Sequence, residues 1–262
     1  MNKKLKKLIG ESKKENGVLL DFSRDFQSKE EMQIFFLEYG YVSLKKFIPL
    51  DAIENVVDDL KYIFKPFATD KANPIDSGII NLDKSDKKLL YELCIVIRKL
   101  SSKKHLTALF GDITKSITGK DNPVLEISSG LTLGISRDDR LVYNFHQESV
   151  FMENFADNTN AHFPLLRMSN LQNGTMSILP GTHKLGTLET NKSQNSTNSV
   201  TNKIPKNINE IVGNFPELHC CLELGDVILF HKDLIHRSNY NSSALCRLVG
   251  GINLTQSLSG DW

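Results

Sequence analysis

Apolar residues recur at helical spacing through the first third of the chain and at every second position from about residue 124 onward. Ser28-x-x-Glu31 is a capping-box pattern at the head of SKEEMQIFFLEYG, and Gly40 stands where a helix stop is wanted, so a helix is predicted between them. YVSLKKF follows as a short strand. Pro49 and Asp51 then open DAIENVVDDLKYIF, whose Ile53, Val56, Val57, Leu60, Ile63 and Phe64 share one helical face. A third helix is predicted over residues 86–100, with Leu89, Leu93, Val96, Ile97 and Leu100 on its core side.

Beyond residue 124 the runs VLEIS, LTLGIS, RLVYNFH, TMSILP, DVILFH and ALCRLVGGIN are short, alternating and separated by turn residues. That spacing predicts a sandwich or barrel instead of a parallel sheet with crossover helices. The expected fold class is therefore mainly β with N-terminal helices. Residues 189–203, ETNKSQNSTNSVTNK, carry no hydrophobic pattern and read as a loop, the centre of a flexible insertion at about 187–214. The expected organisation is a basic, mobile lead-in over 1–27 and one domain over 28–262. Its helical part runs over about 28–122 and its β core over about 123–255.

Charge narrows the partners. Lys and Arg number 32 against 31 Asp and Glu, so no global field gathers nucleic acid or an anionic membrane. The lysine-rich start, MNKKLKKLIGESKKENG, is not followed by an apolar segment of signal-peptide or membrane-spanning length. Cys94, Cys220, Cys221 and Cys246 form no CxxC pair and read as reduced thiols, consistent with cytoplasm. The expected partner is a small molecule, with neither nucleic acid nor membrane, and the expected state is a monomer or homodimer.

Candidate chemistry centres on RLVYNFHQE. Strand alternation places Val142, Asn144, His146 and Glu148 on one face. A buried imidazole and carboxylate side by side are costly without a partner, and a metal ion is the simplest group that gathers both. Two ligands hold an ion weakly, so a third is expected in the β region. His162, His183, His231 and His236 are all available, and the pattern alone does not choose among them.

Four segments in order carry a family resemblance: FFLEYGYVSLKKFIPLDAIENVVDDL, then H-x-E, then NGTMSILPGTHKLG, then GDVILFHKDLIHRSNYNSSALCR. Together they resemble the phytanoyl-CoA dioxygenase family of iron(II)- and 2-oxoglutarate-dependent oxygenases, from about residue 30 to residue 253. The resemblance implies a double-stranded β-helix, a cupin-like jelly roll. It implies His146, Glu148 and His236 as the metal ligands, a triad that leaves positions on Fe(II) open for 2-oxoglutarate and molecular oxygen. Arg247 and Ser238 would bind the far carboxylate of 2-oxoglutarate, and arginine suits that task because its planar fork takes both oxygens. His162 falls where relatives often carry an aromatic next to the cofactor. Asn144, turned inward by the alternation, is a second candidate contact to substrate or cofactor. His183, after the PGT turn, and His231, at a strand end, read as structural.

The implied reaction oxidises a small substrate, with hydroxylation as its outcome, while 2-oxoglutarate becomes succinate and carbon dioxide. One departure stands out: Glu148 replaces the family aspartate and adds a methylene between chain and metal. The residues alone argue only for a metal and a carboxylate-bearing ligand. A non-catalytic relic that still binds metal or ligand, and a cupin-like enzyme using another divalent metal, remain open at this level. Arg247 and Ser238 discriminate, because neither alternative needs a site for the far carboxylate of a keto acid.

Overall fold

Local signals at the N-terminal side are realised in atomic detail. The Ser28 hydroxyl accepts a hydrogen bond from the Glu31 amide at 3.1 Å, and Glu31 reaches back to the Gln27 amide at 2.9 Å. Helix α1 (Lys29–Tyr39) starts there and stops at Gly40, whose φ of 79° is the left-handed value that glycine tolerates best. The computed structural model describes residues 14–15, 18–19, 26–97, 103–139, 142–151, 158–192 and 203–256. Helix α2 (Leu50–Phe64) buries Ile53, Val56, Leu60 and Phe64, four of the six positions on the predicted face.

Three more helices follow: α3 (Pro74–Ser85), α4 (Lys87–Ile97) and α5 (Lys103–Thr118). The predicted 86–100 helix is α4: Ile97 is buried and Leu89 and Leu93 pack against the core as expected, Leu90 joins them and Val96 is exposed instead, and residues 98–100 lie outside the described residues. Helices α3 and α5 were not anticipated. Pro74 and Gly78 give α3 the look of a turn, yet Pro at the first helical position is compatible with a helix start, and Ile75, Ile79 and Leu82 are buried on its core side.

Two five-stranded sheets form the β core. One orders β3 (Tyr41–Leu44), β10 (Val227–His231), β5 (Asn158–Pro164), β12 (Arg247–Gln256) and β4 (Val124–Gly134), antiparallel throughout. The other orders β1 (Lys14–Glu15), β2 (Val18–Leu19), β9 (Leu218–His219), β6 (Met176–Ile178) and β11 (His236–Ser238), with only β2 and β9 parallel. This is the jelly roll. Helix α5 covers the outside of the first sheet, where Phe110 stacks on Phe163 of β5 at 5.7 Å between ring centroids. Because strand side chains alternate, a Phe163 facing the helices turns Asn160 and His162 toward the space between the sheets.

Three β expectations are corrected. VLEIS and LTLGIS are one strand, β4, because β12 pairs along its length with a register shift between Asn253 and Leu254. RLVYNFH is not a strand over its described residues: 142–145 are irregular, and only His146 makes a bridge, to His236. The segment around 189–203 is anchored at both ends by a ribbon of β7 (Thr190–Lys192) and β8 (Lys203–Pro205), followed by α6 (Ile208–Asn214), while residues 193–202 lie outside the described residues. The lead-in also contributes β1 and β2 to a sheet edge. Among the described residues, no helix is long and apolar enough to cross a membrane.

One long-range clamp ties the helical part to β12. Asp76 of α3, almost fully buried, binds Arg167 at 2.6 and 3.1 Å and accepts the Cys246 amide at 2.7 Å, while Arg167 donates to the Cys246 carbonyl. The backbone immediately before Arg247 is thereby fixed. Asp76→Ala leaves Arg167 without its carboxylate partner and is expected to cost about 3 kcal/mol, read by urea unfolding. A loss below about 0.5 kcal/mol, the scale of an exposed pair, would mean that solvent screens the clamp.

Candidate functional site

His146 and His236 face each other because their backbones exchange hydrogen bonds, 3.0 and 3.1 Å, across the bridge between their segments. Their rings lie 4.2 Å apart between centroids. Each Nδ1 lies against a carbonyl of its own segment, His146 with Asn144 O at 2.6 Å and His236 with Leu234 O at 3.0 Å. A carbonyl only accepts, so both Nδ1 atoms carry a proton and both rings present Nε2 toward Glu148, the orientation from which an imidazole ligates through Nε2. Those Nε2 atoms stand 3.6 and 3.3 Å from Oε1 of Glu148. One ligand atom from each of the three residues lies within 4.8 Å of the others, the spacing of a cluster able to hold a metal ion.

Glu148 opens a short 3-10 turn, Glu148–Phe151, which folds its side chain back toward the histidines. Burial works against its charge, but hydrogen bonds and charge interactions with His236 and His146 outweigh that and hold the carboxyl well below its usual range. Burial, reinforced by His146, lowers the His236 imidazole. An ionised carboxylate beside a neutral imidazole is the protonation state that metal binding requires. Gln147, between the ligands, is fully buried: its amide donates to Gly186 O and Asp233 O, and its carbonyl accepts the Leu188 amide. Sequence reasoning missed it, because alternation treats the residue between two ligands as pointing away. Its three partners fix the chain direction on which both ligands depend.

A cavity of about 290 Å³ opens beside the triad, lined by His146, Glu148 and His236 together with Tyr143, Asn160, His162 and Ser238. Arg247, at the start of β12, has 2% of its surface exposed, and its Nε and Nη1 have no hydrogen-bond partner. Its Nε is 3.2 Å from where a side chain at Gly134 would begin, so glycine there leaves the guanidinium its room. Burial brings Arg247 down to about 10, which keeps it charged at neutral pH, and its electrostatic neighbours His162 and Tyr143 both line the cavity. A buried cation with unmet donors is unfavourable unless an anion joins it. Burial and Arg247 together push His162 down to about 3, so its ring is uncharged.

Residues 36–249 match the family described as phytanoyl-CoA dioxygenase (PhyH). The chain belongs to the phytanoyl-CoA dioxygenase family. The peroxisomal phytanoyl-CoA dioxygenase of Mus musculus is 39% identical over 71 residues, which is 27% of this chain and 20% of that protein. The matched part is thus about a fifth of the mouse protein's length. Among solved structures, the epimerase SnoN in complex with Fe3+, alpha ketoglutarate and nogalamycin RO superposes with a TM-score of 0.58 at 14% identity, covering 87% of this chain and 83% of SnoN. EctD from S. alaskensis with bound Fe superposes at 0.57 and 16% identity, covering 94% and 83%. At these identities the likeness is one of fold.

For a member of the phytanoyl-CoA dioxygenase family the residues present fit both a divalent ion and a dicarboxylate: two imidazole Nε2 atoms and an ionised carboxylate line one cavity, and a buried guanidinium with two unpartnered nitrogens stands behind its His162 and Tyr143 wall. The structure also sorts the remaining candidates. His162 lines the cavity from β5 but stands outside the three-residue cluster. His183 and His231 lie together, 5.4 Å between ring centroids, with His183 Nε2 donating to Leu37 O and His231 Nδ1 accepting the Asp233 amide. Neither lines the cavity. Asn144 is corrected: its side chain is exposed, because the segment is not a strand and alternation does not govern it, and Tyr143 lines the cavity instead.

Proposed function

We propose that the chain is an iron(II)- and 2-oxoglutarate-dependent dioxygenase that oxidises a small-molecule substrate, with release of succinate and carbon dioxide. The observation that carries this reading is the buried guanidinium of Arg247, with Nε and Nη1 unpartnered, which interacts electrostatically with His162 and Tyr143 in the wall of the cavity that the His146, Glu148 and His236 cluster also lines. A metal site without a keto acid would have no use for that cation.

His146, Glu148 and His236 would hold the ion from one side and leave its other positions open. Glu148 would neutralise part of the ion's charge, and Gln147, held by its three hydrogen bonds, fixes the short H-x-E segment. Arg247 would take both oxygens of the far carboxylate, with Ser238 on β11 as a second donor, so that the keto acid is held at its two ends. His162, being uncharged, adds no competing cation beside Arg247. Bound iron would supply oxygen activation coupled to oxidative decarboxylation of the keto acid, which is chemistry no side chain here can perform. Hydroxylation of a substrate carbon is the proposed outcome.

Purified protein given iron(II), ascorbate, 2-oxoglutarate and air is expected to release succinate, and to release none when iron is withheld. Absence of succinate together with no anaerobic binding of 2-oxoglutarate would overturn the reading.

A further inference from the structure

Among the described residues, the cavity contains a carboxamide that neither the metal nor the keto acid accounts for. Asn160, in β5, is 2% exposed and lines the cavity, yet its Nδ2 and Oδ1 are both buried without any hydrogen-bond partner. Its position is set by register: it lies opposite Phe230 on β10 and Asn253 on β12. The Phe230 ring is 4.8 Å from the His236 ring between centroids, which puts Asn160 toward the ligand end of the cavity. A buried carboxamide offers two donors and an acceptor, and leaving them unmet costs more than an apolar residue of the same shape would.

A 2-oxoglutarate dianion only accepts hydrogen bonds, so it could meet Nδ2 but never Oδ1. An apolar substrate group would meet neither. Among the described residues that line the cavity, no charged group is left free beside Asn160. Arg237, which also lines the cavity, is engaged by Glu217 at 2.8 and 2.7 Å and lies over the Phe145 ring at 4.8 Å. Across the strand ladder Gly251 and Gly130 are paired in register, and a side chain added at Gly251 would meet only the Gly130 carbonyl, at 4.0 Å. That bare stretch of wall, in register with His162, leaves room for the body of a ligand two residues along β5 from Asn160.

Resting on the reading of this site as a 2-oxoglutarate-dependent one, we propose that Asn160 is its specificity-determining residue. It recognises on the substrate an uncharged group that both donates and accepts hydrogen bonds, a hydroxyl or a carboxamide.

The test uses anaerobic protein loaded with iron(II) and 2-oxoglutarate, and a matched series of four-carbon probes: butyramide, butane-1,3-diol, butyrate and butylamine. Binding is followed by the shift in melting temperature and by the visible band of the iron and keto acid complex. Butyramide and the diol are expected to bind at least about tenfold more tightly than the charged pair, the scale of one hydrogen bond. Asn160→Ala should weaken both by about tenfold while the Kd for 2-oxoglutarate, from calorimetry, moves by less than about threefold. Asn160→Leu fills the same space without polar atoms and should melt no lower than the parent, which separates lost recognition from lost folding. Preference for butyrate or butylamine, silence from all four probes, or a tenfold loss of 2-oxoglutarate affinity in both variants would each overturn the proposal. Failure of the unsubstituted protein to bind 2-oxoglutarate would instead overturn the reading beneath it.

Discussion

His236→Ala is expected to lose bound iron and all iron-dependent succinate release. Changes one shell out from a metal typically cost 10- to 100-fold in affinity, so removing a ligand should cost more than about 100-fold. The readout is iron content after dialysis, together with disappearance of the metal-dependent rise in melting temperature. His231→Ala is the control, because His231 lies beside His183 and takes the Asp233 amide without reaching the cavity. It should keep its metal. The reverse pattern would move the third ligand to His231 and dismantle the site as drawn.

Arg247→Ala should raise the 2-oxoglutarate requirement by about 100-fold with iron content unchanged, since truncating one partner of a buried charge pair costs roughly 2–5 kcal/mol. Lysine should restore only part of this, because a single ammonium cannot match both carboxylate oxygens as a guanidinium does. A separate measurement guards against a merely structural role. Without ligand the Arg247 cation is buried and unpaired, so Arg247→Met should unfold at equal or higher urea concentration than the parent while binding 2-oxoglutarate poorly. Equal loss of metal and keto acid would mean that Arg247 props up the ligands and does not face the cofactor.

What the sequence made legible follows from where local chemistry and global packing agree. The Ser28 and Glu31 cap, the α2 stripe and the DVILFH strand each satisfy propensity and burial at once, and all three appear as expected. Strand β5 was invisible because NTNAHFP spends its inward positions on Asn160 and His162 instead of on apolar residues. Polar groups demanded by the cavity erased the alternation that announces a strand. The opposite error occurred in RLVYNFH, where alternating residues suggested a strand that its described part does not form. His146 and Glu148 still converge, but by a single bridge and a 3-10 turn, so Asn144 went to solvent and Gln147 became the buried member. Periodicity reports the average environment of a segment and is blind to one bridge made by a residue 90 positions away.

The two halves of the site hang on very different scaffolding. Arg247, Asn160 and His162 belong to strands paired on both sides over most of their length, whereas His236 sits on the three-residue β11 and His146 on an isolated bridge. Amide exchange with solvent hydrogen should therefore begin around the imidazoles long before it reaches the guanidinium, since short ladders open at lower free energy than long ones. A metal bound between the two weakly held segments would staple them together and delay that opening by its own binding free energy. The ion is then a structural cross-link as well as a reagent.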